Sequence, residues 1–190
     1  MEQMELELAE HKTEGVLITS KKTVETVTLK VGEHGIVTQS SIRYLGVLID
    51  SRLNFKAQVE NASTKAASVG KTLSWLMPNV GGPKQKKRAL LASVTTSVMI
   101  YGIAIWADAL ATRSMCRKVT SVYRLSALRV ASAFRTVSKE AAEVISGLLP
   151  VEILAQERKQ VFQQRKALNS AEKRQKEEQL KTEERKRSLE

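Results

Sequence analysis

The chain has 190 residues, with 31 Lys+Arg against 20 Asp+Glu and a formal net charge of +11. Hydrophobic residues at 42% are enough for a core and exclude full disorder, whereas aromatics at 4% argue against an aromatic platform for stacking bases. The one cysteine, Cys116, excludes an internal disulfide framework and a Cys-rich zinc site, and the two histidines, His11 and His34, supply a metal site poorly.

The first ten residues carry four Glu and no apolar run, so no signal peptide is legible and an intracellular protein, nuclear or cytoplasmic and not secreted, is expected. Met4–Ala9 reads as the end of an acidic helix. Gly15–Ser20 is a β-rich run. Thr23–Val31 alternates, with Val27, Leu29 and Val31 on one face, which is strand periodicity. Gly32 and Gly35 bracket a turn. Ser41–Asp50 reads as a second strand, rich in β-branched and aromatic residues, and the two strands are expected to form a hairpin.

From Asn54 the period becomes helical. Val59, Ala62, Ala66, Val69, Leu73 and Leu76 form one apolar stripe, which Pro78, Gly81, Gly82 and Pro83 end. A second helix starts at Lys84–Arg88, and its expected core stripe is Leu91, Val94, Val98, Tyr101 and Ile105. A third helix is predicted from Ser114 to Phe134. A short fourth is predicted with Ser138 as N-cap and Gly147 near its end. Pro150 leads a long charged helix whose apolar residues fade out beyond Asn169. The expected class is α+β: a small N-terminal β-hairpin (residues 1–55), a helical bundle (56–150) and a charged helical tail (151–190).

Charge is unevenly spread. Residues 1–60 are net −2, residues 61–150 net +10 and residues 151–190 net +3. A basic excess in one block is the electrostatic footprint of a polyanion-binding surface. Lys84, Lys86, Lys87 and Arg88 cluster at a helix start, where cations are disfavoured by about 0.3–1 kcal/mol each. Arg117, Arg124 and Arg135 fall near whole helical turns and would share a face of a regular third helix. Both groups are candidates for phosphate contact; the alternative is a solvated basic face.

Other motifs are weaker. Ala89–Ala107 is 19 residues without a charge behind a basic flank, the length of a membrane span, but its Ser, Thr and Gly content also suits a buried bundle helix. Gly70-Lys71-Thr72 resembles the end of a phosphate-binding loop, but Lys65 stands where that pattern needs glycine, and the segment continues a helical stripe. Asp50 is the only Asp in the first hundred residues, and no two carboxylates are placed for a two-metal site.

Taken in order, several segments resemble one family. Leu8-Ala9-Glu10-His11-Lys12-Thr13-Glu14 followed by Val16–Ile18 resembles the segment after the catalytic hairpin of non-LTR, LINE-type retrotransposon reverse transcriptases. Tyr44-Leu45-Gly46-Val47 with Ile49-Asp50, then Leu53-Asn54-Phe55, resembles their primer-gripping hairpin and the entry to the thumb. Tyr101-Gly102 with Trp106, and Tyr123-Arg124 through Phe134–Ser138, resemble the thumb region of insect elements of the R1 and Jockey kind.

The resemblance covers about residues 4–160. It implies the C-terminal palm edge and thumb of an RNA-directed DNA polymerase, without the catalytic Asp residues and therefore inactive alone. It gives Lys12 the role of a palm lysine near departing pyrophosphate, and it places Tyr44, Leu45 and Gly46 at the primer end. It implies no cofactor in this chain, Mg belonging to the parent polymerase. The implied partners are an RNA–DNA or DNA duplex and the missing palm and fingers, and a membrane is not expected. The alternative is a basic helical interaction protein that uses Ala89–Ala107, with membrane association as one form of it.

Overall fold

The computed structural model describes residues 12–32, 34–165, 179 and 181–183. The expected helix at Met4–Ala9 and nearly all of the tail beyond Asn169 lie outside these residues. The fold is α+β, as the change of period requires. Two antiparallel hairpins, β1 (Thr28–Val31) with β2 (His34–Val37) and β3 (Ser41–Tyr44) with β4 (Val47–Asp50), precede the helices. The helices are α1 (Lys56–Ser74), α2 (Gln85–Met99), α3 (Ile103–Trp106), α4 (Arg113–Ala131), α5 (Lys139–Ser146) and α6 (Val151–Gln164), with a 3-10 turn at Ala107–Ala111. By contacts the chain divides into two units, Met1–Ala57 and Gln58–Glu190.

The strand pairing corrects the sequence expectation. Thr23–Val31 and Ser41–Asp50 do not pair with each other. The first contributes only β1, which turns at Gly32 and pairs with β2, so Gly35 lies inside a strand. The second folds back on itself, with Tyr44 opposite Val47. Its two-residue turn is Leu45-Gly46, with φ of 47° and 85°; positive φ at both positions is the hairpin geometry that matches strand twist. Gly15–Ser20 forms no strand; Val16 makes an isolated bridge to Gln39, and Thr19 N–H donates to Ser51 O.

Val47 is the only buried hydrophobic residue among the described residues of the N-terminal unit. This unit is held by hydrogen bonds. Thr38 N–H donates to Val27 O, and the Thr38 hydroxyl accepts from Val27 N–H. The Asp50 carboxylate accepts from Phe55 N–H at 2.7 Å, and from Arg52 and Asn54 N–H. It thereby fixes a loop in which Leu53 and Phe55 take positive φ, and Asn54 Oδ1 accepts from Lys56 N–H at the start of α1.

The helical unit carries the core. Val59, Ala62 and Ala66 of α1 are buried as the stripe predicts, but Leu76 at its end is 58% exposed. In α4, Tyr123 is buried and donates from its hydroxyl to Leu149 O at 2.7 Å. Ala127 and Leu128 of α4 pack on Ala142 of α5. Ser138 caps α5, its hydroxyl accepting from Ala141 N–H, and Gly147 ends α5 at φ 71°, both as predicted.

The second helix departs from its predicted face. Its buried residues are Arg88, Ala92, Thr95 and Met99, whereas Val94 is 47%, Tyr101 58% and Ile105 54% exposed. It also stops at Met99. Gly102 takes φ 64° and opens α3, where Trp106 is buried with its indole N–H on Tyr101 O. No described helix is long and apolar enough to cross a membrane. Only α2 joined to Ile103–Ala111, bent by 54°, has the length and composition.

Candidate nucleic-acid interface

The basic residues of the helical unit fall into two groups. Some are spent inside the fold. Arg88 is buried, and its guanidinium donates to four carbonyls: Pro83 O at 2.7 Å, Arg129 O at 3.0 Å, Met77 O at 3.2 Å, and Pro78 O. The sequence grouped Arg88 with its exposed lysine neighbours. The helix instead turns it inward, and it is unavailable to phosphate. Arg124 is half-buried and donates to Arg135 O at 2.6 Å and to Val137 O, tying the loop after α4 back onto that helix. Lys118 pairs with Glu60, and Lys159 with Asp108.

Others are uncommitted. Lys84, Lys86 and Lys87 are exposed at the start of α2, and Arg113 and Arg117 along α4. None of the five has an ion pair or side-chain hydrogen bond among the described residues. Arg113, Arg117 and Arg124 line one shallow groove of about 440 Å³, with Glu152 in its wall. Arg135 is not on that helical face. The helix ends at Ala131, Ser132 takes φ 53°, and the chain turns away before Arg135. The three arginines that spacing aligned are therefore split: Arg117 exposed on the helix, Arg124 holding a loop, and Arg135 exposed in that loop.

In the N-terminal unit, Tyr44 and Leu45 are 60% and 77% exposed at the hairpin tip, beside Gly46. Leucine at positive φ is uncommon, and this turn type favours Asn or Asp there, so the tip tolerates backbone strain to present an apolar side chain. Lys12 is exposed. Among the described residues no group of three His, Cys, Asp or Glu could hold a metal ion. The described residues do not fit a two-metal site.

A polar cluster not singled out by the sequence lies where α4, α5 and α6 meet. Lys139 Nζ sits 2.8 Å from Glu152 and 4.0 Å from Glu143. Glu152 Oε1 also accepts from Thr120 and Cys116. Burial pushes Glu143 up to about 7; the Lys139 charge opposes this and the Glu152 charge adds to it. Burial would also raise Glu152, but its hydrogen bond and charge contact with Lys139 hold it below its usual value. Burial would lower Lys139, but the two glutamates hold it above its usual value. Burial, then the charges of Glu143 and Glu152, raise Tyr123. Spacing alone could not reveal this cluster, because its members come from three helices.

No family model matches the chain, and no solved structure matches it. Two curated proteins are similar in sequence. A "Retrovirus-related Pol polyprotein from type-1 retrotransposable element R1" of Nasonia vitripennis is 27% identical over 157 residues, 77% of this chain and 45% of that protein. A "Putative 115 kDa protein in type-1 retrotransposable element R1DM" of Drosophila melanogaster is 25% identical over 116 residues, 60% of this chain and 11% of that protein. The chain thus spans less than half the length of either relative. In sequence, then, the chain is similar to proteins of R1-type insect retrotransposons.

Proposed function

We propose that the helical unit is the thumb of a retrotransposon reverse transcriptase and lies along the backbone of a template–primer duplex, with the β3–β4 tip at the primer end. The carrying observation is the division of its cations. Lys84, Lys86, Lys87, Arg113 and Arg117 are exposed and unpaired among the described residues, while other basic side chains nearby are consumed by the fold. Cations left unneutralised on a helical surface neutralise phosphates by releasing counterions, without reading sequence. The resemblance of Tyr44-Leu45-Gly46 to a primer-gripping hairpin, and the exposure of Tyr44 and Leu45, support the placement of the tip. This chain binds and orients; the chemistry belongs to the catalytic part of such a polymerase.

The test is binding of the full chain to an RNA–DNA duplex by fluorescence anisotropy across a salt series. With about four to eight phosphates neutralised, affinity should fall by about 10²–10⁴-fold between 50 and 200 mM salt. Replacing Lys84, Lys86 and Lys87 together by Gln should flatten that slope. Absent or salt-independent binding would refute the proposal.

A further inference from the structure

A second cavity, of about 500 Å³, opens among α1, α2, α4 and the loop after α4. Its volume is that of a small-molecule site. Its lining carries three basic residues, Lys71, Arg129 and Arg135, and no carboxylate. None of the three has an ion pair or side-chain hydrogen bond among the described residues. Their backbones are nevertheless fixed. Arg129 O accepts from Arg88, Arg135 O accepts from Arg124, and Lys71 O accepts from Ser74. The wall beside them is Phe134, 78% exposed. Ala133 N–H on Leu128 O and Val137 N–H on Phe134 O shape the loop that carries Phe134 and Arg135. The floor, with Gly70 of α1 against Thr95 of α2, is small and weakly polar.

Three unneutralised cations around one cavity attract an anion, and guanidinium forks match phosphate oxygens, in a phosphodiester as in a terminal phosphate. An exposed ring beside them suits a planar partner. We propose that this cavity takes one unpaired nucleotide of a nucleic-acid strand, its phosphate among Lys71, Arg129 and Arg135 and its base against Phe134. The inference rests on the nucleic-acid reading above and narrows it, because a paired base has no face to give Phe134. Arg124 is a positioning residue for this site.

The experiment titrates AMP, and separately inorganic phosphate, into the full chain by NMR or calorimetry. Phe134→Ala and Arg135→Gln alter exposed side chains, and unchanged circular dichroism confirms folding. Ala67→Phe, which fills the mouth from α1, is a second variant. AMP should bind, with affinity lowered about five- to tenfold by Phe134→Ala and at least as much by Arg135→Gln, and lost in Ala67→Phe. The Lys84/Lys86/Lys87→Gln chain should retain AMP binding. If phosphate binds as tightly as AMP and Phe134→Ala changes nothing, the nucleotide assignment is overturned. If the duplex binds but AMP does not, the cavity proposal fails while the thumb proposal stands. If neither binds, both fail.

Discussion

Replacing Arg88 by Met should destabilise the helical unit without touching its outer surface. The guanidinium joins Met77, Pro78 and Pro83, between α1 and α2, to the Arg129 carbonyl near the end of α4. Met keeps most of the volume and removes every donor. Each buried carbonyl left without a partner costs about 1–3 kcal/mol. Pro78 is exposed and Pro83 half-exposed, so water can reach their carbonyls, and Arg129 O keeps the Ser132 N–H. Met77 O carries the fullest penalty. Relief from burying a cation without a carboxylate offsets part of the total. The net expected loss is about 2–4 kcal/mol, a large share of the ~5–15 kcal/mol of a typical domain. Arg88→Lys should recover less than half, because one ammonium cannot span carbonyls on both sides. Urea unfolding followed by the fluorescence of buried Trp106 measures this. Gly82→Ala should act similarly, since a Cβ there would overlap Pro78 O and Arg88 Nη2. A Met variant within about 0.5 kcal/mol of the parent would refute the assignment of Arg88 as an internal tie.

Ser132→Gly should stabilise the chain by about 1 kcal/mol, read as a higher urea midpoint. Ser132 holds φ 53° at the end of α4, where the equivalent residue after α5 is Gly147 at φ 71°. Glu143→Gln should remove a pH dependence. Burial raises the folded carboxyl to about 7 from 4.5, so the folded state binds the extra proton between these values and this contribution to stability falls as pH rises through them. The variant should match the parent near pH 4 and exceed it at pH 8 in urea unfolding; a parent as stable as the variant at pH 8 contradicts the reasoning.

Local signals were legible where chemistry sits at one position. Ser138 and Gly147 mark α5 because a hydroxyl acceptor and a free positive φ are properties of single residues. The α2 face was misread for a physical reason. Leu91, Val94 and Val98 are large and spaced for a stripe, but Arg88, Ala92, Thr95 and Met99 carry the same spacing about one residue away. Packing of α2 against α4 selects this second stripe, and Gly70 of α1 also leaves room beside Thr95. Residue propensity hid the Ser41–Asp50 hairpin, which only the family resemblance suggested, because Leu45 occupies a position that usually announces itself with Asn or Asp. The cavity was not legible, since Lys71, Arg129 and Phe134 come to line one space only after three segments fold together. Its one sequence trace, Gly70-Lys71, lies in a helix and serves packing and charge without forming a phosphate loop.

The shifted face of α2 has a practical consequence. Leu90 and Val94 of α2, with Tyr101 and Ile105 beyond its end, stand outward at exposures of 47% to 70%, while α2 packs inward through Arg88, Ala92, Thr95 and Met99. Charged replacements at Leu90 and Val94 would leave Ala92, Thr95 and Met99 in place. These two positions are therefore the natural places to engineer solubility when the chain is produced in quantity, with a basic residue at Leu90, because an acidic one there would pair with Lys86 or Lys87 one turn away.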